Sequence, residues 1–310
     1  MEEILKRKLG TTRFEITGYE ADGCISKGRA YQTDNGIVFV KTNNNKEADL
    51  MFQGEYASLQ AIEATKAVRV PHPIGNFSVG PYGEALVTEF LDFGNSSREF
   101  SSMLGTNLAR MHLHNAKLLE NETRASGYVG KTQENTGPMR KFGFHTTTCC
   151  GFIPHPNNWN DDWATFFIRN RLKVQVDRII EEKGDREIVE LWPRLERAAE
   201  KLLNDENELP ALVHGDLWSG NWASTEDEPV IFDPASFYGT SEFEFGMINM
   251  STAFKTDKEF HEAYHKLIPK RDGFGARTML YELFHHLNHW NHFDGTYRAS
   301  SLSLAHSLLC

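Results

Sequence analysis

The hydrophobic period of this chain changes once, and that change limits what it can fold into. Up to about residue 90 the apolar and β-branched residues fall in short runs of strand type, broken by one helical stretch over 46–65. From residue 100 onward they recur every third or fourth position, as in Leu104, Leu108, Met111 and Leu113. Trp163, Phe166, Phe167, Leu172, Val176, Ile179 and Ile180 mark a second helical stretch. The expected product is an α+β chain of two lobes, a β-rich one over 1–90 and a mainly helical one over 91–310.

Within the first lobe, a short helix over 3–9 ends at Gly10. Strands over 11–19, 24–33 and 37–42 follow, the last two joined by an Asp34-Asn35-Gly36 turn. A prolyl break at Pro71 and Pro73 ends the 46–65 helix, and an apolar strand over 84–90 completes the sheet. Residues 120–141 carry no sustained period and read as a surface loop.

Composition removes several function classes. The net charge of -10 repels polyanions and leaves no counterion-release term, so a nucleic-acid partner is not expected. No apolar run reaches the roughly 20 residues a membrane span requires. Four cysteines, two of them adjacent at Cys149 and Cys150, form neither a disulfide framework nor a paired CxxC metal site. A reduced, cytoplasmic setting is expected, with the chain a monomer or homodimer.

Two short apolar runs in the second lobe, Ala211-Leu212-Val213 and Val230-Ile231-Phe232, each lead straight into an aspartate. The first opens His214-Gly215-Asp216-Leu217-Trp218-Ser219-Gly220-Asn221, and Asp233 follows 17 residues after Asp216. Phosphoryl transfer needs a carboxylate at the attacking hydroxyl, and an amide oxygen with a second carboxylate to hold Mg²⁺ on ATP phosphates. Asp216, Asn221 and Asp233 supply those groups in that order. Upstream, Val38-Phe39-Val40-Lys41 ends a strand on a cation and Glu55 lies on the next helix, the pair that would hold an ammonium against the α and β phosphates. Gly23, Cys24 and Ser26, in the first hairpin, are placed to bring backbone amides over those phosphates. Glu89 and Leu91, at the end of the last strand, are placed to offer backbone hydrogen bonds to adenine. Between Asp233 and Glu244 the chain is too short for the activation loop of a protein kinase.

Several longer motifs narrow this reading. Gly23-Cys24-Ile25-Ser26-Lys27-Gly28-Arg29-Ala30-Tyr31, Phe142-Gly143-Phe144-His145 with Cys149-Cys150-Gly151, Asp162-Trp163, the 214–221 motif, Asp233-Pro234-Ala235-Ser236-Phe237-Tyr238-Gly239 and Leu287-Asn288-His289-Trp290-Asn291-His292-Phe293 resemble the fructosamine kinase (ketosamine 3-kinase) family over nearly the whole chain. The resemblance implies a protein-kinase-like fold of the aminoglycoside phosphotransferase kind. It also implies ATP-dependent phosphorylation of the 3-hydroxyl of ketosamines (fructosamine, ribulosamine, psicosamine), free or protein-bound, whose products then decompose and free the amine. Residue types leave open a kinase for another hydroxylated amine, of aminoglycoside or choline type, and a silent nucleotide-binding scaffold.

A ketosamine presents hydroxyls and weakly apolar C–H faces, so an aromatic platform beside hydrogen-bonding groups suits it. Trp218, His289, Trp290 and His292 are the candidates. His285, His289 and His292 share one helical face that would suit a metal, but no Cys or acid adjoins them in sequence to complete a shell. Cys24, near Lys27 and Arg29, is a candidate redox thiol. Cys149 and Cys150 read as packing residues. The 242–250 stretch, Glu242 through Met250, departs from the more aliphatic helix usual in the family.

Overall fold

The computed structural model describes residues 1–22, 26–94, 100–125, 137–205 and 207–310. The chain opens with α1 (Glu2–Leu9), closed by Gly10 in the left-handed conformation, then β1 (Phe14–Asp22), β2 (Lys27–Thr33) and β3 (Gly36–Asn43). Helix α2 (Ala48–Thr65), β4 (Pro73–Ser78) and β5 (Glu84–Glu89) follow. The five strands form one antiparallel sheet in the order β1-β2-β3-β5-β4. Strand β4 is absent from the sequence expectation because it starts on a proline, which removes a ladder donor. At the first residue of an edge strand that loss is tolerated.

The rest is chiefly helical. Helix α3 (Ser101–Ala125) is followed by a hairpin of β6 (Thr148–Cys150) and β7 (Ile153–His155). Helix α4 (Trp163–Phe167) runs through a π turn over Ile168–Leu172 into α5 (Lys173–Lys183), and α6 (Arg186–Leu203) comes next. Asp162 and Asp185 cap α4 and α6, accepting from Thr165 N at 2.7 Å and Ile188 N at 3.1 Å. Four three-residue strands then frame the 214–236 segment: β8 (Ala211–Val213), β9 (Trp222–Ser224), β10 (Pro229–Ile231) and β11 (Phe237–Gly239), with β8 paired to β11 and β9 to β10. Helices α7 (Glu244–Met250), α8 (Thr252–Lys255), α9 (Lys258–Leu267), α10 (Phe274–Phe293) and α11 (Arg298–Leu308) complete the chain. No described helix is long and apolar enough to cross a membrane.

Two buried clusters hold these layers. Leu5, Phe14, Tyr31, Val38, Val40, Val79, Ala85 and Val87 pack one face of the sheet under α1. The large cluster gathers α3 through α11 around Trp163, Phe166, Phe167, Phe243 and Tyr281. Ala57, Leu59 and Ile62 belong to the large cluster, so α2, which packs on β4 and β5, is also anchored on the helical half. That anchorage sets where Glu55 points.

Gly54, beside Glu55, lies against β6: a Cβ there would stand 2.6 Å from Thr147 O and 3.0 Å from Thr148 Cα. The obstructing atoms are backbone and cannot swing aside. Gly54→Ala is therefore expected to cost about 1–3 kcal/mol despite the better helix propensity of alanine. Chemical denaturation of the two proteins checks this, and equal midpoints would contradict the close approach.

Candidate active site

Strand alternation and the length of α2 bring the first cation to its partner. Lys41 pairs in register with Gly28 on β2 and Leu86 on β5, and its Nζ reaches Glu55 Oε1 at 2.5 Å. The same ammonium is ion-paired with Asp233, which follows β10 and lies 192 residues away in sequence. Both Lys41 and Glu55 have side chains mostly buried, at 17% and 16% exposure. Burial works against the Lys41 charge, but Asp233 and Glu55 outweigh it and hold the ammonium above the ordinary lysine range. Burial raises Glu55 to about 7 against the attraction of Lys41.

The loop after β8 is fixed by its own backbone. Gly215 has φ +87, and a Cβ there would stand 2.3 Å from Ala235 O, so this position needs glycine. His214 is fully buried; its Nε2 bonds Phe232 O at 2.9 Å while Nδ1 accepts from Asp216 N at 3.3 Å. Those two contacts place the imidazole proton on Nε2, and burial keeps the ring neutral by lowering its pKa. Ala235 N donates back to His214 O at 2.9 Å. Asn221 Nδ2 donates to Asp216 O at 2.8 Å and to Asp216 Oδ2 at 3.3 Å, and Phe232 N donates to Asn221 O at 3.0 Å. Asp216, Asn221 and Asp233 are thus tied into one unit. Asp233 has φ +58, an unusual conformation for a residue with a side chain, at the position that meets Lys41.

Asp216 is half-buried, and desolvation raises its carboxyl to about 8 despite a hydrogen bond from the Cys150 thiol. Asp233 and Glu244 add to the rise, and Asn221 opposes it. Such a carboxyl takes up a proton near neutrality and loses it when a cation arrives, the behaviour a general base requires.

Behind the loop stands Glu244, at 0% exposure the most deeply buried acid of the site. It accepts from His214 N at 2.6 Å and Gly215 N at 3.0 Å, and His112 Nε2 lies 3.3 Å away. Burial pushes its pKa up, but His112 and His214 win and hold it below the usual glutamate range. Neighbouring Glu242 ties Arg277 at 2.6 Å and Arg271 at 3.0 Å. The stretch that departs from an aliphatic helix therefore carries the anchor of the 214–216 turn. Sequence reading missed Glu244 as a functional residue; the signal was two acids in an otherwise apolar run, which only a buried partner explains.

Other expected site residues divide sharply. Trp218 is 43% exposed in the loop, its ring over Gly220. Glu89 spends its carboxylate on Arg69 at 2.5 Å and His72 N at 2.6 Å, and its N–H on His72 O at 3.0 Å. Leu91 N–H takes part in no backbone bond among the described residues. Ser26 is half-buried just ahead of β2, whereas Gly23 and Cys24, including the expected redox thiol, lie outside the described residues.

Trp290 is a correction. It is 2% exposed within the large core, with the Arg298 guanidinium 5.8 Å from its ring centre, so it packs the fold and offers no sugar platform. His289 turns to Tyr297 and Phe293, ring centres 4.9 Å and 5.7 Å away, and its Nδ1 bonds His285 O. It does not join Asp216. His292 approaches the site only indirectly: Nδ1 bonds Asn288 O at 2.7 Å and Nε2 accepts from Phe152 N at 3.1 Å, which leaves neither nitrogen for a ligand. Helix period explains Trp290, which lies about 140° round α10 from His285 and so points away from the face that His285 and His292 share.

The donor set also fits a hard cation. The Asp233 carboxylate, 44% exposed, and the side-chain oxygen of Asn221, whose nitrogen is already engaged, are oxygen ligands of the kind magnesium takes.

A β-sheet lysine held by a helix acid, facing an H-G-D loop and a following aspartate, defines a phosphotransferase of the kinase kind. Comparison with known proteins agrees: the fructosamine kinase family model matches residues 2–310. The chain is 46% identical over 310 residues to ketosamine-3-kinase of Mus musculus, covering 99% of each. It is 36% identical over 294 residues to the chloroplastic protein-ribulosamine 3-kinase of Arabidopsis thaliana, covering 94% of this chain and 82% of that one. Among solved structures it resembles a thermostable mutant of aminoglycoside phosphotransferase APH(4)-Ia in ternary complex with ADP and hygromycin B, with TM-score 0.64 and 14% identity over 100% of this chain and 97% of that one. This chain belongs to the fructosamine kinase family, and its fold is the two-lobed one of the aminoglycoside phosphotransferases.

Proposed function

We propose that this chain transfers the γ-phosphoryl group of ATP to the 3-hydroxyl of ketosamines, sugars joined to amines through an Amadori linkage, and so promotes deglycation. The observation that carries the reading is Lys41 meeting both Glu55 and Asp233 beside the Asp216–Asn221 pair. The 46% identity to a ketosamine-3-kinase supports the substrate class.

Residues 1–90 serve as the nucleotide lobe and 91–310 as the catalytic and substrate lobe. Lys41 aligns the α and β phosphates and Glu55 holds Lys41 in place. The Leu91 N–H and the Glu89 carbonyl face adenine, and Gly23, Cys24 and Ser26 cover the phosphates. Asn221 and Asp233 would hold Mg²⁺, which neutralises charge on the transferring group. Asp216 accepts the proton of the sugar hydroxyl and orients its oxygen. Trp218, exposed in the same loop, gives the sugar its apolar face. The compartment we assign is the cytosol, in keeping with the free Cys149, Cys150 and Cys310.

The direct test offers the protein ATP with synthetic fructosyl-lysine, ribulosyl-lysine, an aminoglycoside and choline, and weighs each product by mass spectrometry. One added phosphoryl group on a ketosamine, with matching ADP release, is the expected outcome. Phosphorylation of choline or the aminoglycoside alone would reassign the substrate, and ATP turnover with none of the four would remove the kinase reading.

A further inference from the structure

The histidine face of α10 lacks metal-binding neighbours in sequence, yet the fold supplies them from elsewhere. His285 is 0% exposed, and neither of its ring nitrogens has a hydrogen-bond partner among the described residues. Two buried imidazole nitrogens left unmatched are costly and point to something missing. Cys150, at the end of β6 and 3% exposed, and Asp216 stand beside it: one ligand atom from each of the three lies within 4.8 Å of the others.

We propose that Cys150, Asp216 and His285 form a site for a thiophilic divalent cation, zinc in the first place, and that its occupation blocks the kinase. A thiolate, an imidazole and a carboxylate are a zinc ligand set, with a fourth position left for water. In tetrahedral zinc the ligand atoms stand roughly 3.3–3.8 Å apart, given bond lengths of about 2.0–2.3 Å, so side-chain rotations of about 1 Å close the present cluster. The fourth position lies on the solvent side, because Asp216 is the one member that keeps solvent exposure. Asn288 Nδ2 lies 3.3 Å from Cys150 Sγ and would steady the thiolate from behind, backed by Gln175 Nε2 at 3.1 Å from Asn288 Oδ1.

Binding exchanges the Cys150 S–H bond for an S–Zn bond, and the thiol proton now donated to Asp216 passes to solvent. Zinc takes a carboxylate oxygen of Asp216, which then cannot accept a sugar proton. The site is distinct from the Asn221 and Asp233 oxygens, which suit magnesium and lack sulfur and nitrogen donors. The inhibitory consequence rests on the kinase reading above; the ligand set does not.

The test uses the full chain carrying Cys24→Ser, Cys149→Ser and Cys310→Ser, which leaves Cys150 as its sole cysteine. Cobalt(II) titrated into this protein is expected to give a thiolate-to-metal charge-transfer band with the visible bands of four-coordinate cobalt, displaced by zinc and untouched by excess magnesium. Adding His285→Asn should weaken cobalt binding roughly tenfold or more. Absence of the band in the folded protein overturns the site, as does unchanged affinity in the His285→Asn protein or an equal band in a Cys150→Ser chain. Zinc should also inhibit phosphotransfer by the unsubstituted chain, and at least about tenfold less potently in Cys150→Ser, each protein measured against its own uninhibited rate. A cobalt band without phosphotransfer to any acceptor would sink the kinase reading and keep the site. Phosphotransfer without the band would do the reverse.

Discussion

Asp216→Asn is expected to lower kcat by roughly 10²–10⁴-fold, the range over which a positioned general base contributes, while nucleotide affinity changes little. The replacement is isosteric. Its amide oxygen can still accept from Asn221 Nδ2 or from the Cys150 thiol, so the loop keeps its shape and only the proton acceptor is lost. In the protein free of cations the carboxyl sits at about 8, because burial disfavours its charge and Asp233 and Glu244 repel it. The protonated form is inert as a base, so kcat/KM for the sugar must rise with pH on its acid side. Positive charge delivered to Asn221 and Asp233 moves that limb below 8, since an added cation favours the carboxylate. An ADP-release assay run from about pH 6 to about pH 9 reads both effects. The parent should show an ascending limb that the Asn variant lacks, and an Asn variant within tenfold of the parent at every pH would show that Asp216 is not the base.

The sequence made the backbone of the site readable because its signals are local. An Asp at the end of an apolar run, an Asn five residues on and a glycine turn between strands all declare themselves within a short window. Lys41 and Glu55 were readable through order alone, strand then helix, and the fold brings them to 2.5 Å. What escaped is what depends on partners far along the chain. Glu244 matters because of His112 and the 214–215 amides, and Cys150 because it reaches Asp216; no window containing either residue contains its partner. Trp290 failed for the opposite reason. A tryptophan inside a motif looks available for ligand, and only the packing of α10 on α5 and α11 reveals that its ring is enclosed.

Glu244 gives the second large effect, on stability and rate together. Its carboxylate is the acceptor for two buried backbone N–H groups, at 2.6 Å and 3.0 Å, in the turn that presents Asp216. Leucine at this position fills much of the volume but accepts nothing. Each orphaned buried donor costs about 1–3 kcal/mol, so Glu244→Leu should lose about 2–5 kcal/mol. For a chain of this size that corresponds to a fall in Tm of roughly 3–8 °C, readable by calorimetry. Glu244→Gln keeps one acceptor oxygen and should lose less, which separates the hydrogen bonds from mere packing. The charge itself has a pH signature. Because the folded carboxyl lies below its ordinary value, its ionisation stabilises the protein above the unfolded pKa, about 4.3, and that contribution drains away as pH falls through the folded value. Acid unfolding of the parent should therefore be steeper below about pH 4.3 than that of Glu244→Gln. At temperatures where both variants stay folded, kcat should fall more than KM for ATP changes, since Lys41 keeps Glu55 on α2 as a partner besides Asp233. A Leu variant as stable and as fast as the parent would mean that the His214–Gly215 turn holds its shape without Glu244.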